Sequence, residues 1–388
     1  MFTRQIEKTI QEYIDGDDKR ILFVWGPRRS GKTTLLQKFS QKLNLPIFNF
    51  DLLSEREKFI PDSFILERLT KNLPLILIDE IQNFPESTLS LKILFDRYKI
   101  KIIATGSSEL RQKSSQFDTL AGRFKEIFCL PFSLEEIIKN EKIASYDEPL
   151  FLNKTINELQ IFGTYPEIYT QNNFEKRVEL LQNILDTYVL KDIITIYELK
   201  NIKLAKDILT KIALQLGSEV SLREIAGSLG ANISTVSNYI EIFTKNYILL
   251  PVSSFKTNLR KAISKHQKLY FYDLGIRNIL VKDFRELSLR PDKGGIFENF
   301  VFSELEKIRK NYNLKLSSFF YREYGGKEID LVIETYLKKY YCWEMKLTKK
   351  TSTPVFPLPH KQTTITPENL YSSLKKLPEI TSFSSQKE

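Results

Sequence analysis

The segment GPRRSGKT, residues 26–33, carries the clearest chemical signal in this sequence. It fits the pattern G-x-x-x-x-G-K-[ST], follows an apolar run and opens a helical pattern. Glycines let a backbone wrap closely around phosphate, whose charge then faces amide groups and a helix N-terminus. Lys32 would reach the β- and γ-phosphates of a nucleotide, and Thr33 would hold Mg²⁺. The segment predicts an ATP site built from Gly26, Pro27, Arg28, Arg29, Ser30, Gly31, Lys32, Thr33 and Thr34.

Two acidic residues end the next informative run, LILIDE, at residues 75–80. At the end of a buried strand, Asp79 would bind Mg²⁺ through its outer sphere, and Glu80 would polarise the attacking water.

Ser107, in IIATGSS, would hydrogen-bond that water or the γ-phosphate; the alternative is a turn serine. Arg123, in LAGRF, would act as an arginine finger within one chain or across a subunit boundary; the alternative is a solvated arginine. The predicted catalytic set is Glu80, Lys32, Arg123 and Ser107.

Carboxylates also follow one another in GGKEIDLVIETYLKKYYCWEMK, residues 325–346. Asp330 stands near the start of one predicted strand, and period 2 puts Glu344 and Lys346 on one face of the next. Carboxylates that converge on Mg²⁺, together with a lysine, are the requirement of a metal-dependent nuclease. The alternative is an ordinary exposed strand face with alternating charges.

Residues 206–255 predict a helix, a turn, a second helix and a strand. If this segment binds DNA, the start of the second helix enters the major groove, which makes Ser234, Thr235, Ser237 and Asn238 the candidates for base contacts. Lys256, Arg260 and Lys261 lie in a basic stretch without acids and would contact phosphates. The alternative is a helical module for protein contacts. Double-stranded DNA is the predicted partner.

The elements that must position these residues alternate along the chain. Between residues 21 and 130, continuous apolar runs separated by helical patterns indicate a parallel sheet covered on both faces. The 388 residues predict more than one domain. The net charge of +10 and the pI of about 9.2 favour an anionic partner.

The sequence also predicts the compartment. Cys129 and Cys342 lack metal-ligand spacing and are expected to be reduced core residues. The first residues lack the apolar core of a signal peptide. Because apolar runs stay below the roughly 18 residues that span a bilayer, no membrane association is expected. The predicted location is cytoplasmic.

Several motifs together resemble a group of bacterial and archaeal AAA-type ATPases. They are GPRRSGKTTLL, LILIDEIQ, ATGSSEL, LAGRF and LPFSLEE, followed by GTYPEIY, YVLKDI and KLYFYDLGIRN. The resemblance runs from about residue 20 to 346 and implies ATP hydrolysis with ATP and Mg²⁺. It also implies a winged helix and a PD-(D/E)XK nuclease-like fold, in which Glu298 matches the helix glutamate. The implied second metal set is then Glu298, Asp330 and Glu344, with Lys346 beside it.

The predicted fold class is α/β: a P-loop NTPase parallel sheet with a helical lid, a winged helix-turn-helix and a C-terminal α/β nuclease-like domain. The proline-containing segment after Lys346 opposes the helix that a complete nuclease-like core needs, so truncation and loss of cleavage are also considered. The leading hypothesis is an ATPase that binds DNA, and a homo-oligomer is possible. The alternative is a nucleotide-switched DNA-binding or scaffold module with an inactive nuclease-like domain. The predicted boundaries are 1–132 for the ATPase core, 133–205 for the lid, 206–265 for the winged helix-turn-helix, 266–350 for the nuclease-like domain and 351–388 for a poorly packed tail.

Overall fold

The computed structural model describes residues 2–107, 117–141, 148–193, 197, 199, 201–256, 267–323, 326–348 and 356–381. The chain divides into two compact units. Unit 1 is Thr3–Pro131, and unit 2 is Phe2 with the chain from Phe132 onward. The predicted boundary at residue 132 lies at this division, whereas the regions predicted after it share one compact unit.

Unit 1 is built around a five-stranded sheet in which every pairing is parallel. The strand order is β2-β3-β4-β1-β5, which confirms the predicted parallel sheet. Its strands are β1 (Ile21–Trp25), β2 (Ile47–Asn49), β3 (Leu75–Asp79), β4 (Lys101–Gly106) and β5 (Phe124–Phe128). Its helices are α1 (Ile6–Asp15), α2 (Lys32–Leu43), α3 (Leu53–Arg56), α4 (Ser63–Asn72) and α5 (Ser87–Ile93).

Apolar side chains on both faces of this sheet are buried, as a parallel sheet requires. Along β1, Ile21 and Phe23 join one core cluster, while Leu22 and Val24 join the other. All residues of β1, β3 and β4 are buried, so these strands are central. Because the strands are parallel, the loops that follow β1, β3 and β4 emerge at the same sheet edge.

The first part of unit 2 is helical. It contains α6 (Leu134–Asn140), α7 (Glu148–Phe162), α8 (Pro166–Tyr169) and α9 (Phe174–Ile184), the last of which continues as a wider turn over Leu185–Asp192. Ser133 and Glu136 form a capping box at the start of α6. Next come α10 (Ile202–Leu214), α11 (Leu222–Leu229) and α12 (Ile233–Lys245), and then the antiparallel hairpin of β6 (Leu249–Ser253) and β7 (Gln267–Phe271).

The second part of unit 2 contains α13 (Leu274–Val281), which packs mainly against the preceding helices, and α14 (Lys293–Asn311), which shares a core with a mixed four-stranded sheet. The strands are β8 (Leu316–Arg322), β9 (Glu328–Thr335), β10 (Tyr340–Met345) and β11 (His360–Ile365). Their order is β11-β10-β9-β8. The β10–β11 pair is parallel, and the other two pairs are antiparallel.

The poorly packed tail predicted for residues 351–388 is wrong for residues 360–381. Strand β11 pairs with β10, and α15 (Pro367–Lys375) and α16 (Leu377–Thr381) follow it. Ile365, Leu370 and Leu374 are buried in the same core as α14. Pro367 occupies the first helical turn, where a missing amide hydrogen costs nothing. The sheet therefore continues past Lys346, contrary to the truncation considered above.

Among the residues that the structure describes, no helix is long and apolar enough to cross a membrane.

Candidate functional site

The segment GPRRSGKT forms the turn between β1 and α2 in unit 1. Gly31 stands directly before α2 with a φ of 96°, in the left-handed region that favours glycine. Gly26 is constrained by space, because a Cβ there would lie 2.0 Å from the Cys129 carbonyl oxygen. The side chains of Thr33 and Thr34 are exposed at the start of α2. The turn therefore presents the N-terminus of a twelve-residue helix, with its backbone amides, beside the exposed hydroxyl side chains of Thr33 and Thr34.

The side chain of Lys32 closes this turn. Its Nζ donates to the carbonyl oxygens of Gly26 and Pro27, each at 2.9 Å, and the residue is only 5% exposed. Burial lowers the pKa of Lys32, and the negative charges of Glu80 and Asp79 oppose that shift. The ammonium group therefore lies between the carbonyl oxygens of the loop. Phosphate oxygens would be stronger acceptors there than carbonyl oxygens.

Asp79 ends β3 and lies in the interior, 3% exposed. Its Oδ1 accepts hydrogen bonds from the Thr105 hydroxyl, on the neighbouring strand β4, and from the Glu80 amide at 3.1 Å. Glu80 itself has a φ of 55°, which is uncommon for a residue with a Cβ. This left-handed residue ends the strand, so the side chains of Asp79 and Glu80 point in different directions.

Gln82 connects the residues predicted to act on the attacking water. Its Nε2 donates to Glu80 Oε2, and its Oε1 accepts from the Ser107 amide at 3.1 Å. The Ser107 hydroxyl is buried and has no hydrogen-bond partner within the described part of the chain. A buried hydroxyl of this kind costs free energy unless a ligand or water satisfies it. The orphaned Ser107 hydroxyl, the buried Lys32 and the exposed Thr33 fit a nucleotide with its Mg²⁺.

Arg123 is placed differently from the other predicted catalytic residues. Its Nε donates to Asp96 at 2.9 Å, and its Nη1 donates to the carbonyls of Thr119 and Ala121. The Asp96 carboxylate raises the pKa of Arg123. Arg123 is thus held by Asp96 and by the turn before β5, and its role as an arginine finger stays a prediction.

The carboxylates predicted near the C-terminus lie at one end of the β9–β10 pair. Asp330 accepts from the Met345 amide at 2.6 Å, and Glu344 pairs with Lys346 at 2.8 Å. The pKa of Asp330 is raised to about 7 because the group is buried and because Glu298 and Glu344 add negative charge nearby. The four predicted residues Glu298, Asp330, Glu344 and Lys346 are thus within electrostatic reach of one another.

Glu298, on α14, has a different set of partners. Lys268 of β7 donates to it at 2.8 Å and also pairs with Glu328, and the Tyr270 hydroxyl donates to the same Glu298 oxygen. Within the described residues, no group of three His, Cys, Asp or Glu is arranged to hold a metal ion. The metal site predicted at Glu298, Asp330 and Glu344 therefore stays a prediction. Two of these carboxylates are paired with lysines, Glu298 with Lys268 and Glu344 with Lys346.

The predicted DNA contacts lie at the start of α12. Ser234, Ser237 and Asn238 are exposed and Thr235 is partly exposed, while Val236 and Tyr239 face the core. Lys256, after β6, is exposed, whereas Arg260 and Lys261 lie outside the described residues. With α10, α11 and the β6–β7 hairpin, α12 forms three helices followed by a two-stranded ribbon.

Sequence reasoning did not single out Gln82 or Thr105, and it placed Lys268 only in the basic stretch that begins at Lys256 and would contact phosphates. Gln82 was visible in LILIDEIQ, two positions after the predicted base, where a side chain can fold back on its neighbour. The contacts of Thr105 with Asp79 and of Lys268 with Glu298 carried no local signal, because these partners lie 26 and 30 positions away.

Three family models match parts of this chain, and one of them agrees with the geometry of unit 1. Residues 18–138 match the model of an AAA domain, and residues 153–288 and 293–358 match two domains of unknown function, DUF8612 and DUF4143. Two uncharacterized proteins of Methanocaldococcus jannaschii are similar. MJ1544 is 29% identical over 85% of this chain and 76% of its own, and MJ1637 is 24% identical over 90% and 80%. An uncharacterized Haemophilus influenzae protein is 22% identical over 84% and 82%.

Two solved structures are distantly similar. The RuvB Holliday junction branch migration motor of Thermotoga maritima is 18% identical with a TM-score of 0.30, over 64% of this chain and 89% of its own. AMPPCP-bound DnaA from Aquifex aeolicus is 16% identical with a TM-score of 0.26, over 62% and 88%. Likenesses this weak carry no argument of their own. The AAA-domain match, the P-loop sequence and the five-stranded parallel sheet identify unit 1 as an AAA-type P-loop fold.

Proposed function

We propose that unit 1 binds ATP with Mg²⁺ and hydrolyses it to ADP and phosphate. The observation that carries the proposal is the position of Lys32. Its ammonium is buried against two carbonyls of its own loop, within the electrostatic influence of Glu80 and Asp79. A buried ammonium is costly unless strong acceptors satisfy it, and phosphate oxygens are such acceptors. Apart from Pro27, which has no amide hydrogen, the other residues from Gly26 to Thr34 would supply backbone amides or hydroxyls around the same phosphates.

The chain's own residues divide the work of hydrolysis. Lys32 would bind the β- and γ-phosphate oxygens and offset their charge. Thr33 and Asp79 would hold Mg²⁺, which neutralises the phosphate charge when it is bound. Glu80 would accept a proton from the attacking water, and Gln82, which bonds both Glu80 and Ser107, would fix the direction of that carboxylate. The unpartnered Ser107 hydroxyl would donate to the water or to a γ-phosphate oxygen.

Arg123 enters this scheme only after a rearrangement. In the structure Arg123 is paired with Asp96. To act as an arginine finger it must leave that carboxylate and bind a nucleotide phosphate instead. Such an exchange within one chain or across a homo-oligomer would make hydrolysis depend on the Asp96 pair.

For unit 2 we propose double-stranded DNA as the partner. The support is the exposed polar face of α12, with Ser234, Ser237 and Asn238, and exposed Lys256 beyond β6. The net charge of +10 adds attraction to phosphate. Lys268 and Lys346 offset the charges of Glu298 and Glu344. In this proposal the four-stranded sheet therefore has a structural role and does not cleave DNA.

The central test compares Lys32→Ala with Lys42→Ala, in which a lysine of the same helix is removed far from the loop. Lys42 is exposed and bonds Gln11. Phosphate release should be lost in Lys32→Ala and retained in Lys42→Ala, with both variants folded by circular dichroism. Equal hydrolysis by Lys32→Ala and the wild type would refute the proposal.

The DNA proposal is tested by binding to a fluorescent duplex at several salt concentrations. Binding should weaken as salt rises, and Lys256→Ala should reduce the salt slope, since one phosphate contact is removed. Lys245→Ala is a control, because that lysine pairs with Glu241 on the same helix. Salt-independent binding, or none, would contradict a DNA partner.

A further inference from the structure

A buried arginine lies behind the phosphate loop. Arg4 precedes α1 and is only 6% exposed. Its Nη1 donates to the Ser30 carbonyl at 2.9 Å and contacts Cys129 Sγ at 3.5 Å, and its Nη2 donates to the Leu130 carbonyl at 2.6 Å. One guanidinium group therefore joins the loop to the segment that follows β5, although these residues are 26 to 126 positions from it.

The hydrogen bond to Ser30 has a consequence for the next residue. A trans peptide unit is planar, and its C=O and N–H point in opposite directions. The structure contains no cis peptide bond among the described residues. When Arg4 holds the Ser30 carbonyl, the Gly31 amide hydrogen must point away from Arg4. That amide is among the groups at the start of α2 that would face a phosphate.

The hydrogen bond from Arg4 to the Leu130 carbonyl holds the segment after β5, which packs against the phosphate loop. The Cys129 amide donates to the Trp25 carbonyl at 2.7 Å, and Gly26 has no room for a Cβ beside the Cys129 carbonyl. Cys129 Sγ also lies 3.5 Å from the Ser30 carbonyl. Arg4 therefore bonds both sides of the contact between the loop and the end of β5.

Arginine suits this position for two reasons. The guanidinium presents several N–H donors in a fixed plane, so it can bond Ser30 and Leu130 at once, and it keeps its positive charge at any ordinary pH. A lysine carries the charge on one nitrogen at the end of a flexible chain and has no such fork. The charge also adds to the positive potential behind the loop.

We propose that Arg4 is a positioning residue of the phosphate site. It orients the Ser30–Gly31 peptide so that the Gly31 amide faces the nucleotide phosphates, and it holds the loop against Cys129 and Leu130. This inference rests on the proposed nucleotide binding by unit 1.

The test measures the Kd for a fluorescent ATP analogue with Mg²⁺ in Arg4→Ala, Arg4→Lys and the wild type. Arg4→Ala should weaken binding about tenfold or more, comparable to the loss of one charge-assisted hydrogen bond. Arg4→Lys keeps the charge without the fork and should bind with an intermediate Kd. Tyr13→Phe is the matched control, since Tyr13 of α1 is also buried but its hydroxyl, within the part of the chain that the structure describes, bonds the Ile102 backbone of β4 and not the loop.

A second readout separates positioning from general stability. The chain has two cysteines, both buried, so N-ethylmaleimide labelling can be followed at each by mass spectrometry. Arg4→Ala should speed labelling of Cys129, Mg-ATP should slow it, and Cys342 should be unaffected. Tyr13→Phe should leave the Cys129 rate unchanged. Millimolar guanidinium should partly restore nucleotide binding to Arg4→Ala but not to Lys32→Ala.

The outcomes distinguish this inference from the proposed function. If the wild type does not bind the analogue, nucleotide binding fails and the inference fails with it. If the wild type binds and Lys32→Ala does not, while Arg4→Ala binds as tightly as the wild type, only the Arg4 inference is overturned. If Arg4→Ala does not fold, a wild-type Kd in the folded Arg4→Lys variant overturns the proposed need for the fork.

Discussion

Gly26→Ala is a sharp test of how the phosphate loop is held, because the strain comes from one contact. A Cβ at Gly26 would lie 2.0 Å from the Cys129 carbonyl oxygen and 3.1 Å from Ser30 Oγ. Ordinary contact begins at 3.4 Å, so the loop or the end of β5 must move by about 1.4 Å, the difference between 3.4 and 2.0 Å. Overpacking of this kind typically costs about 1–3 kcal/mol. At roughly 3 °C for each kcal/mol in a unit of this size, Tm should fall by roughly 3–9 °C.

The chain supplies both a reporter and a control for this experiment. Trp25 is next to Gly26, and Trp343→Phe leaves it as the single tryptophan, so denaturant unfolding of unit 1 can be followed by its fluorescence. Gly227, in α11, has no atom within 4 Å of an added Cβ. Gly227→Ala should therefore stabilise unit 2 by about 0.5–1 kcal/mol, because alanine favours a helix interior.

Gly26→Ala should also weaken ATP binding, since the displaced loop no longer presents its amides to one point. The decisive comparison is the unfolding midpoint with and without Mg-ATP. If Gly26→Ala kept the wild-type midpoint and the wild-type affinity, the close approach of Gly26 to Cys129 would not govern the loop, and the argument from its geometry would be refuted.

Three further predictions follow from the charged groups. Glu80→Gln should keep ATP binding but lower phosphate release by about 10²–10⁴-fold, the usual contribution of a general base; unchanged turnover would exclude that role. Because the pKa of Asp330 is raised to about 7 in the folded chain, unit 2 should lose stability as pH rises from about 4 to 7. Asp330→Asn should reduce the difference in unfolding free energy between pH 4.5 and pH 8, measured with urea, by up to about 3 kcal/mol; an identical difference in both proteins would contradict it. Plasmid incubated with Mg²⁺ or Mn²⁺ should stay intact with the wild type as with Asp330→Ala, whereas Asp330-dependent nicking would show that a metal displaces the lysines.

The fold of unit 1 could be predicted because its signals are local. Buried strands such as β1 and β3 are continuous apolar runs, and the pattern of glycines, lysine and threonine stands in consecutive positions. The tail was predicted wrongly because β11 has few apolar residues: only Ile365 is buried, and the strand depends on pairing with β10. Local composition does not reveal a strand whose stability comes from its neighbour.

The sequence by itself determined where the phosphate loop lies, because consecutive residues specify a turn between a strand and a helix. It also predicted that Glu344 and Lys346 lie on one face of a strand, because strand periodicity sets the faces of alternate residues. Only the tertiary structure decided which charged side chains form ion pairs and hydrogen bonds with each other. Glu298 is bound by Lys268 from the β6–β7 hairpin, and Arg4 reaches Ser30 and Leu130 across unit 1. Those contacts depend on how elements distant in sequence pack together, and the free energy of a buried charge depends on the partner that packing provides.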